Sequence, residues 1–157
     1  VRLGAWPFTV HDTPGHTRGH IVYHCLPGNI GFVGDTLFAL GCGRLFEGTP
    51  QQMWASLQKI LSWPDETQIY CAHEYTQANA RFALSVEPNN ADLVARSDQI
   101  DAARQRDEPT VPTTIGLEKR TNPFLRPDSE HLQQTIGLIG QPLVDVFART
   151  RELKDQF

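Results

Sequence analysis

The chain has 157 residues, 39% of them apolar and 20% charged, with a formal net charge of −4, a balance that suits one globular domain or parts of two and excludes wholesale disorder. Nucleic acid is not an expected partner of so acidic a chain, although Arg149, Arg151 and Lys154 crowd the carboxyl end. No apolar run approaches the ~20 residues needed to span a bilayer, no signal peptide is recognisable, and Cys25, Cys42 and Cys71 lack C-x-x-C pairing, so reduced thiols and a cytoplasmic location are expected.

Phe8 to His11 and Ile21 to Cys25 are short, rich in β-branched and aromatic residues and bounded by Gly or Pro, which predicts two strands. Pro27-Gly28-Asn29 turns the chain into a third, Ile30 to Val33, giving a meander whose ends carry His16 and Asp35. Leu37 to Gly48 holds three glycines and no period and reads as a long functional loop. Thr49-Pro50-Gln51-Gln52 then has the form of a helix start, with Thr49 as N-cap, Pro50 in the first turn and Gln52 completing a capping box. Met53, Leu57, Ile60 and Leu61 follow on one apolar face, a stripe that serves a core.

Trp63-Pro64-Asp65 ends that helix, and Gln68 to Cys71 forms the next strand, delivering His73 at its exit. Beyond Tyr75 the texture changes. Ala78, Phe82, Ala83 and Val86 predict a second helix, and Asn90 to about Arg106 a third, with Ala91, Val94 and Ile100 partly inward. Pro109 to Thr114 reads as a surface connector, and Ser129 to Ile139 and Pro142 to Asp155 as two closing helices. No strand is expected after Thr76. The alternation of strands and helix before residue 75 implies a layered α/β half-domain, residues 1–75, followed by a helical unit, residues 76–157.

Three segments carry chemistry-capable side chains at probable strand exits: Thr13-Pro14-Gly15-His16-Thr17-Arg18-Gly19-His20, Gly34-Asp35-Thr36 and Ala72-His73-Glu74. Taken singly each has a plain explanation, since a His in a Gly-Thr loop is ordinarily just hydrogen-bonded and an Asp after Gly ordinarily caps a turn. The His16/His20 spacing imitates a helical zinc pair, but Pro14, Gly15 and Gly19 oppose a helix, so at most one of the two is a ligand.

Together, Thr13 to Thr17, Phe32 to Phe38, Gly41-Cys42-Gly43-Arg44, Tyr70 to Thr76 and Thr121-Asn122-Pro123-Phe124 resemble glyoxalase II, the hydroxyacylglutathione hydrolase branch of the metallo-β-lactamase superfamily. The likeness runs from about His11 to Phe157 in the family's order. It implies the second half of an αββα sandwich followed by an all-helical C-terminal domain, and a thioester hydrolase cleaving S-lactoylglutathione, or another S-(2-hydroxyacyl)glutathione, to glutathione and a 2-hydroxy acid. By the same resemblance His16 binds one metal, Asp35 bridges two and His73 binds the second, while His20 is structural. The implied ions are two zincs, with iron or manganese as alternatives. Arg44, Phe46, Tyr75, Asn79, Arg151 and Lys154 fall at the glutathione-binding positions, with Arg44 where many members have Lys and Phe46 where some have Tyr.

One departure stands against these agreements. The family's Thr-His-x-His-x-Asp-His run is absent, and no His precedes His11. The expectation is a portion of a longer enzyme that, alone, binds metal weakly, turns over little, and exposes an apolar face to the missing half or to a second copy. Two readings compete: a persulfide dioxygenase-like protein with mononuclear iron, and a non-catalytic module that binds glutathione or a partner.

Overall fold

The computed structural model describes residues 1–157. A short hairpin of β1 (Arg2–Leu3) and β2 (Trp6–Pro7) leads into β3 (Thr9–Asp12), β4 (Ile21–Cys25) and β5 (Ile30–Gly34), an antiparallel meander in the expected positions. Inside the segment expected to be plain loop, β6 (Leu37–Phe38) and β7 (Gly41–Cys42) pair as a second small hairpin. The chain then crosses through α1 (Pro50–Leu61) to β8 (Gln68–Cys71), which lies parallel to β5, the arrangement a helical crossover permits.

Helix α1 begins as its sequence dictates. The Thr49 hydroxyl accepts from Gln52 N–H and the Gln52 side chain accepts from Thr49 N–H, with Pro50 in the first turn, so two orphan donors are satisfied reciprocally. Met53, Leu57 and Ile60 are buried against the sheet.

Helices α2 (Thr76–Val86), α3 (Ala91–Gln105), α4 (Ile115–Thr121), α5 (Glu130–Ile136) and α6 (Leu143–Gln156) follow. Two expectations fail here. The connector holds a strand, β9 (Thr113–Thr114), which pairs antiparallel with β8 and completes the sheet order β3-β4-β5-β8-β9. Two residues are too few to show a period, and this strand exists because β8 offers an open edge. In α3, Val94 is exposed and Leu93, Arg96, Ser97 and Ile100 point inward. A buried arginine breaks the apolar period from which the inward face was read.

That arginine belongs to a brace that decides the geometry downstream. Glu118, fully buried, accepts from Arg96 (2.5 Å), the Thr113 hydroxyl (2.6 Å), Asn122 Nδ2 (2.9 Å) and Leu40 N–H (2.9 Å). Asn122 Nδ2 also donates to the Phe38 and Gly41 carbonyls, and Asn79 Nδ2 to the Ala39 carbonyl. The β6–β7 turn is thus gripped by side chains from α2 and from α4 and its C-cap. A buried carboxylate is tolerated because its oxygens are fully bonded.

One hydrophobic core joins Val22, Val33 and Ile69 of the sheet to Met53 and Leu57 of α1, Phe82 of α2, Phe124 and Phe147. Helices from beyond residue 75 therefore share the core of the strands before it. The opposite face of the sheet is bare: Val10, Ile21, Tyr23 and Phe32 all exceed one-third exposure, and Leu3 and Trp6 extend the patch. This is the kind of apolar face the sequence led us to expect, a run of exposed side chains on neighbouring strands.

Candidate metal and substrate site

Asp35 leaves β5 on a kink, because Gly34 has φ +51° and a Cβ there would meet His20 Nε2 at 2.8 Å. The His20 ring fills that space. Its Nε2 accepts the Asp35 backbone N–H (3.1 Å), and its Nδ1 lies 2.9 Å from the Thr36 hydroxyl and 3.2 Å from the Thr13 hydroxyl. A backbone N–H can only donate, so Nε2 carries no proton and Nδ1 does. Burial holds His20 below the ordinary imidazole pKa; Asp35 pulls it up and His16 pushes it further down. His20 is thus a platform for Asp35, and not a free ligand.

His16 sits in the turn between β3 and β4, where Nδ1 bonds the Arg44 carbonyl at 2.8 Å. That bond makes Nδ1 the donor and leaves the Nε2 lone pair for other use, the orienting contact that metal-binding imidazoles characteristically have. Arg44 can approach because Gly43 precedes it: a Cβ at Gly43 would lie 1.9 Å from the Asp35 carbonyl oxygen. His73, at the exit of β8, has Nε2 3.1 Å from Asp35 Oδ1 and its ring stacked on Tyr75, centroids 4.7 Å apart.

His16, Asp35 and His73 line one cavity of about 450 Å³, together with Phe38, Arg44, Phe46 and Tyr75. The fold thus brings the three predicted ligands to a common mouth. No three His, Cys, Asp or Glu side chains converge tightly enough to cage an ion. The donors fit part of a metal centre: one oriented imidazole, one carboxylate, and a second imidazole touching that carboxylate. Each of two ions would find fewer than the three protein ligands a stable site needs.

Behind the same wall lies a cationic cleft of about 190 Å³, lined by Phe38, Cys42, Arg44, Tyr75, Asn79, Arg151 and Lys154 among others. Phe38, Arg44 and Tyr75 belong to both spaces. Five of the six residues at predicted glutathione-binding positions meet here, and Phe46 lies on the metal side, 67% exposed and 5.1 Å from the His16 ring. They are not equally free. Asn79 is buried and spends Nδ2 on the Ala39 carbonyl. Arg151 is buried too; it donates to the Cys42 carbonyl (2.9 Å) and to Asp155 (2.7 and 3.1 Å), and its guanidinium lies 5.0 Å from the Phe124 ring. Arg44, Tyr75 and Lys154 keep accessible heads. Lys154 is held below the ordinary lysine pKa mainly by burial and then by Arg151 and Arg44, while Asp155 pulls it back up.

Sequence reasoning missed Asp155, Phe38 and the Glu118 brace. The Arg151–Asp155 spacing of one helical turn was a readable signal; the brace was not, because its members are scattered from Leu40 to Asn122.

A half-covered mixed sheet with an imidazole–carboxylate cavity at its strand exits defines a metallo-β-lactamase superfamily chain, and residues 1–73 match that superfamily's family model. Residues 74–157 match the model described as hydroxyacylglutathione hydrolase C-terminus, and the chain belongs to the hydroxyacylglutathione hydrolase family. It is 55% identical over 157 residues to the hydroxyacylglutathione hydrolase of Maricaulis maris (strain MCS10), spanning 100% of this chain and 61% of that protein. Among solved structures it resembles ETHE1 from Myxococcus xanthus, with TM-score 0.55 and 26% identity over 100% of this chain and 57% of that one. It also resembles TTHA1623 in a di-iron-bound form, with TM-score 0.51 and 31% identity over 80% of this chain and 45% of that one. Superfamily membership implies metal ions.

Proposed function

We propose that these residues supply the substrate-holding half and three metal ligands of a cytoplasmic thioesterase that hydrolyses S-(2-hydroxyacyl)glutathione, S-lactoylglutathione foremost, to glutathione and a 2-hydroxy acid. The supporting observation is the shared wall of Phe38, Arg44 and Tyr75: it sets a carboxylate–imidazole cavity beside a cleft of cationic side chains. A glutathione thioester has that layout, with a reacting carbonyl at one end of the cysteine side chain and two carboxylates further back. Arg44 and Lys154 hold the carboxylates by charge-assisted hydrogen bonds, Arg151 stiffens the cleft from behind, and the Tyr75 and Phe38 rings exclude water from the acyl group.

On the other side His16, Asp35 and His73 would hold metal, zinc by the family resemblance, with iron or manganese as alternatives that the same donors also suit. A metal held by these residues would supply polarisation of the thioester carbonyl and a bound water with a pKa of about 7. The Arg44 carbonyl keeps His16 in the tautomer that leaves Nε2 available, and His20 keeps Asp35 in place. The division near residue 75 is one of role: the three metal ligands come before it, and the glutathione contacts are drawn equally from both sides, over one shared core. With the family's Thr-His-x-His-x-Asp-His run absent, these residues supply part of a metal-ligand set. By themselves they bind metal weakly and turn over little.

The test joins this chain behind the part of the Maricaulis relative that precedes the matched residues. Expected are S-methylglutathione binding to the 157 residues alone, indifferent to chelator, and two ions with S-lactoylglutathione hydrolysis in the joined protein, both diminished by His73→Ala. A joined protein that holds one iron and hydrolyses nothing favours the oxidoreductase reading; binding that never acquires activity favours the non-catalytic one.

A further inference from the structure

Asp155 is the one carboxylate at the cationic cleft, and it sits among all three cations. Its Oδ1 accepts from Arg151 Nε (3.1 Å) and Nη2 (2.7 Å) and lies 3.3 Å from Arg44 Nε, while Lys154 precedes it in α6. It stands about one-third exposed at the foot of the cleft and outside its lining residues. Arg151 would keep its bond to the Cys42 carbonyl without it, so Asp155 is not the sole anchor of that guanidinium. Its distinctive contribution is charge.

Resting on the reading of the cleft as a glutathione carboxylate site, we infer that Asp155 is an internal counter-ion that lowers the cleft's affinity for anionic ligands and so sets which ligand charge it accepts. A ligand carboxylate gripped by Arg44 must share that guanidinium with Asp155 at close range. Two carboxylates roughly 6 Å apart repel by an amount worth about threefold in affinity at the dielectric of water and about a hundredfold at an effective dielectric of about 20, which puts a position about one-third exposed near tenfold. Orienting the largely exposed Arg44 is worth less, as exposed ion pairs are. The like-charge effect therefore outweighs the positioning effect.

The test is Asp155→Asn, which keeps the shape and the acceptor oxygen, with Asp155→Ser as a second neutral variant should the first misfold. Glu152→Gln removes a charge from the same helix at a residue paired with Arg149, outside the cleft lining. Binding of S-methylglutathione and of citrate is measured by calorimetry at low salt and at 0.5 M NaCl. Expected is about 5- to 30-fold tighter binding to the Asp155 variants at low salt, shrinking to below about threefold at high salt, with Glu152→Gln unchanged. Unchanged or weaker binding of both probes overturns the inference, and leaves the glutathione reading standing if the parent chain binds S-methylglutathione. Tighter citrate binding with no S-methylglutathione binding to any protein overturns the glutathione reading and keeps the inference. Binding of neither probe to any of the proteins sinks both.

Discussion

The two compartments on either side of Phe38, Arg44 and Tyr75 are built by opposite means. In the cationic cleft, buried side chains are locked before any ligand arrives: Arg151 commits its donors to the Cys42 carbonyl and Asp155, and the main chain of the β6–β7 turn is held by Asn79, Asn122 and Glu118. In the metal cavity the ligand side chains are more exposed, and His16 and Asp35 are aimed through main-chain groups: the Arg44 carbonyl for His16, the Asp35 N–H on His20 for Asp35. A site that holds a charged organic ligand needs its cations fixed before the ligand arrives, because two or more like charges do not gather spontaneously. A metal cavity is drawn together by the ion, which supplies the charge that its anionic and imidazole ligands converge on.

The contrast breaks most sharply at the brace. Glu118→Ala leaves Arg96 buried without its partner and frees the Leu40 N–H, and is expected to cost about 3–5 kcal/mol in urea unfolding; a loss under 1 kcal/mol would mean that water reaches this pocket. Arg151→Met removes the charge-assisted bonds to Asp155 and Cys42 and is expected to cost about 2 kcal/mol, with loss of S-methylglutathione binding. Arg44→Met, at an exposed side chain, should abolish the same binding while moving stability by about 0.5 kcal/mol or less. If those two variants lose equal stability, the distinction between bracing and gripping cations is wrong.

Acid sharpens the comparison from a third place. His24 is stacked on Trp63, ring centroids 4.1 Å apart, with Nε2 buried and unpartnered. Burial, and then His11, lower its pKa from the ordinary 6.5. The folded state therefore resists a proton that the unfolded chain accepts. Stability from this source is full above pH 6.5 and is lost as pH falls through the folded value. The urea midpoint should decline on acidification below pH 6.5, and His24→Phe should flatten that part of the profile; an unchanged slope would acquit His24. Small effects are also expected on the metal side, where His16→Ala and His73→Ala should each shift stability by about 0.5 kcal/mol or less while removing whatever metal the chain binds, read by equilibrium dialysis.

Much of the first half was legible because its signals are local. Thr49, Pro50 and Gln52 start a helix by chemistry confined to four residues, and the β-branched runs at Ile21 and Gln68 are strands wherever they are placed. Illegible were β9, which has no pattern of its own and forms on the free edge of β8, and the inward face of α3, where Arg96 occupies a position that an apolar residue would have announced. For the site, the residue types and their order carried a family resemblance, yet types do not carry duties. Asn79, Arg151 and Lys154 look alike as ligand candidates in the string, but the first two are spent on the protein's own carbonyls and carboxylate, and the third keeps an accessible head.

By itself the amino-acid order determined the elements with short-range causes, namely the caps, the alternating strands and the apolar stripe of α1, and through its motifs the family. Only the tertiary structure decided that His16, Asp35 and His73 share one mouth, that the helices beyond residue 75 complete the core and the edge of the sheet before it, and that Asp155 stands among the cations. The reason is range: a cap or a periodic face is settled by neighbours a few bonds away, whereas a charge or a ligand acquires its role from partners that only the folded chain brings within a few ångströms.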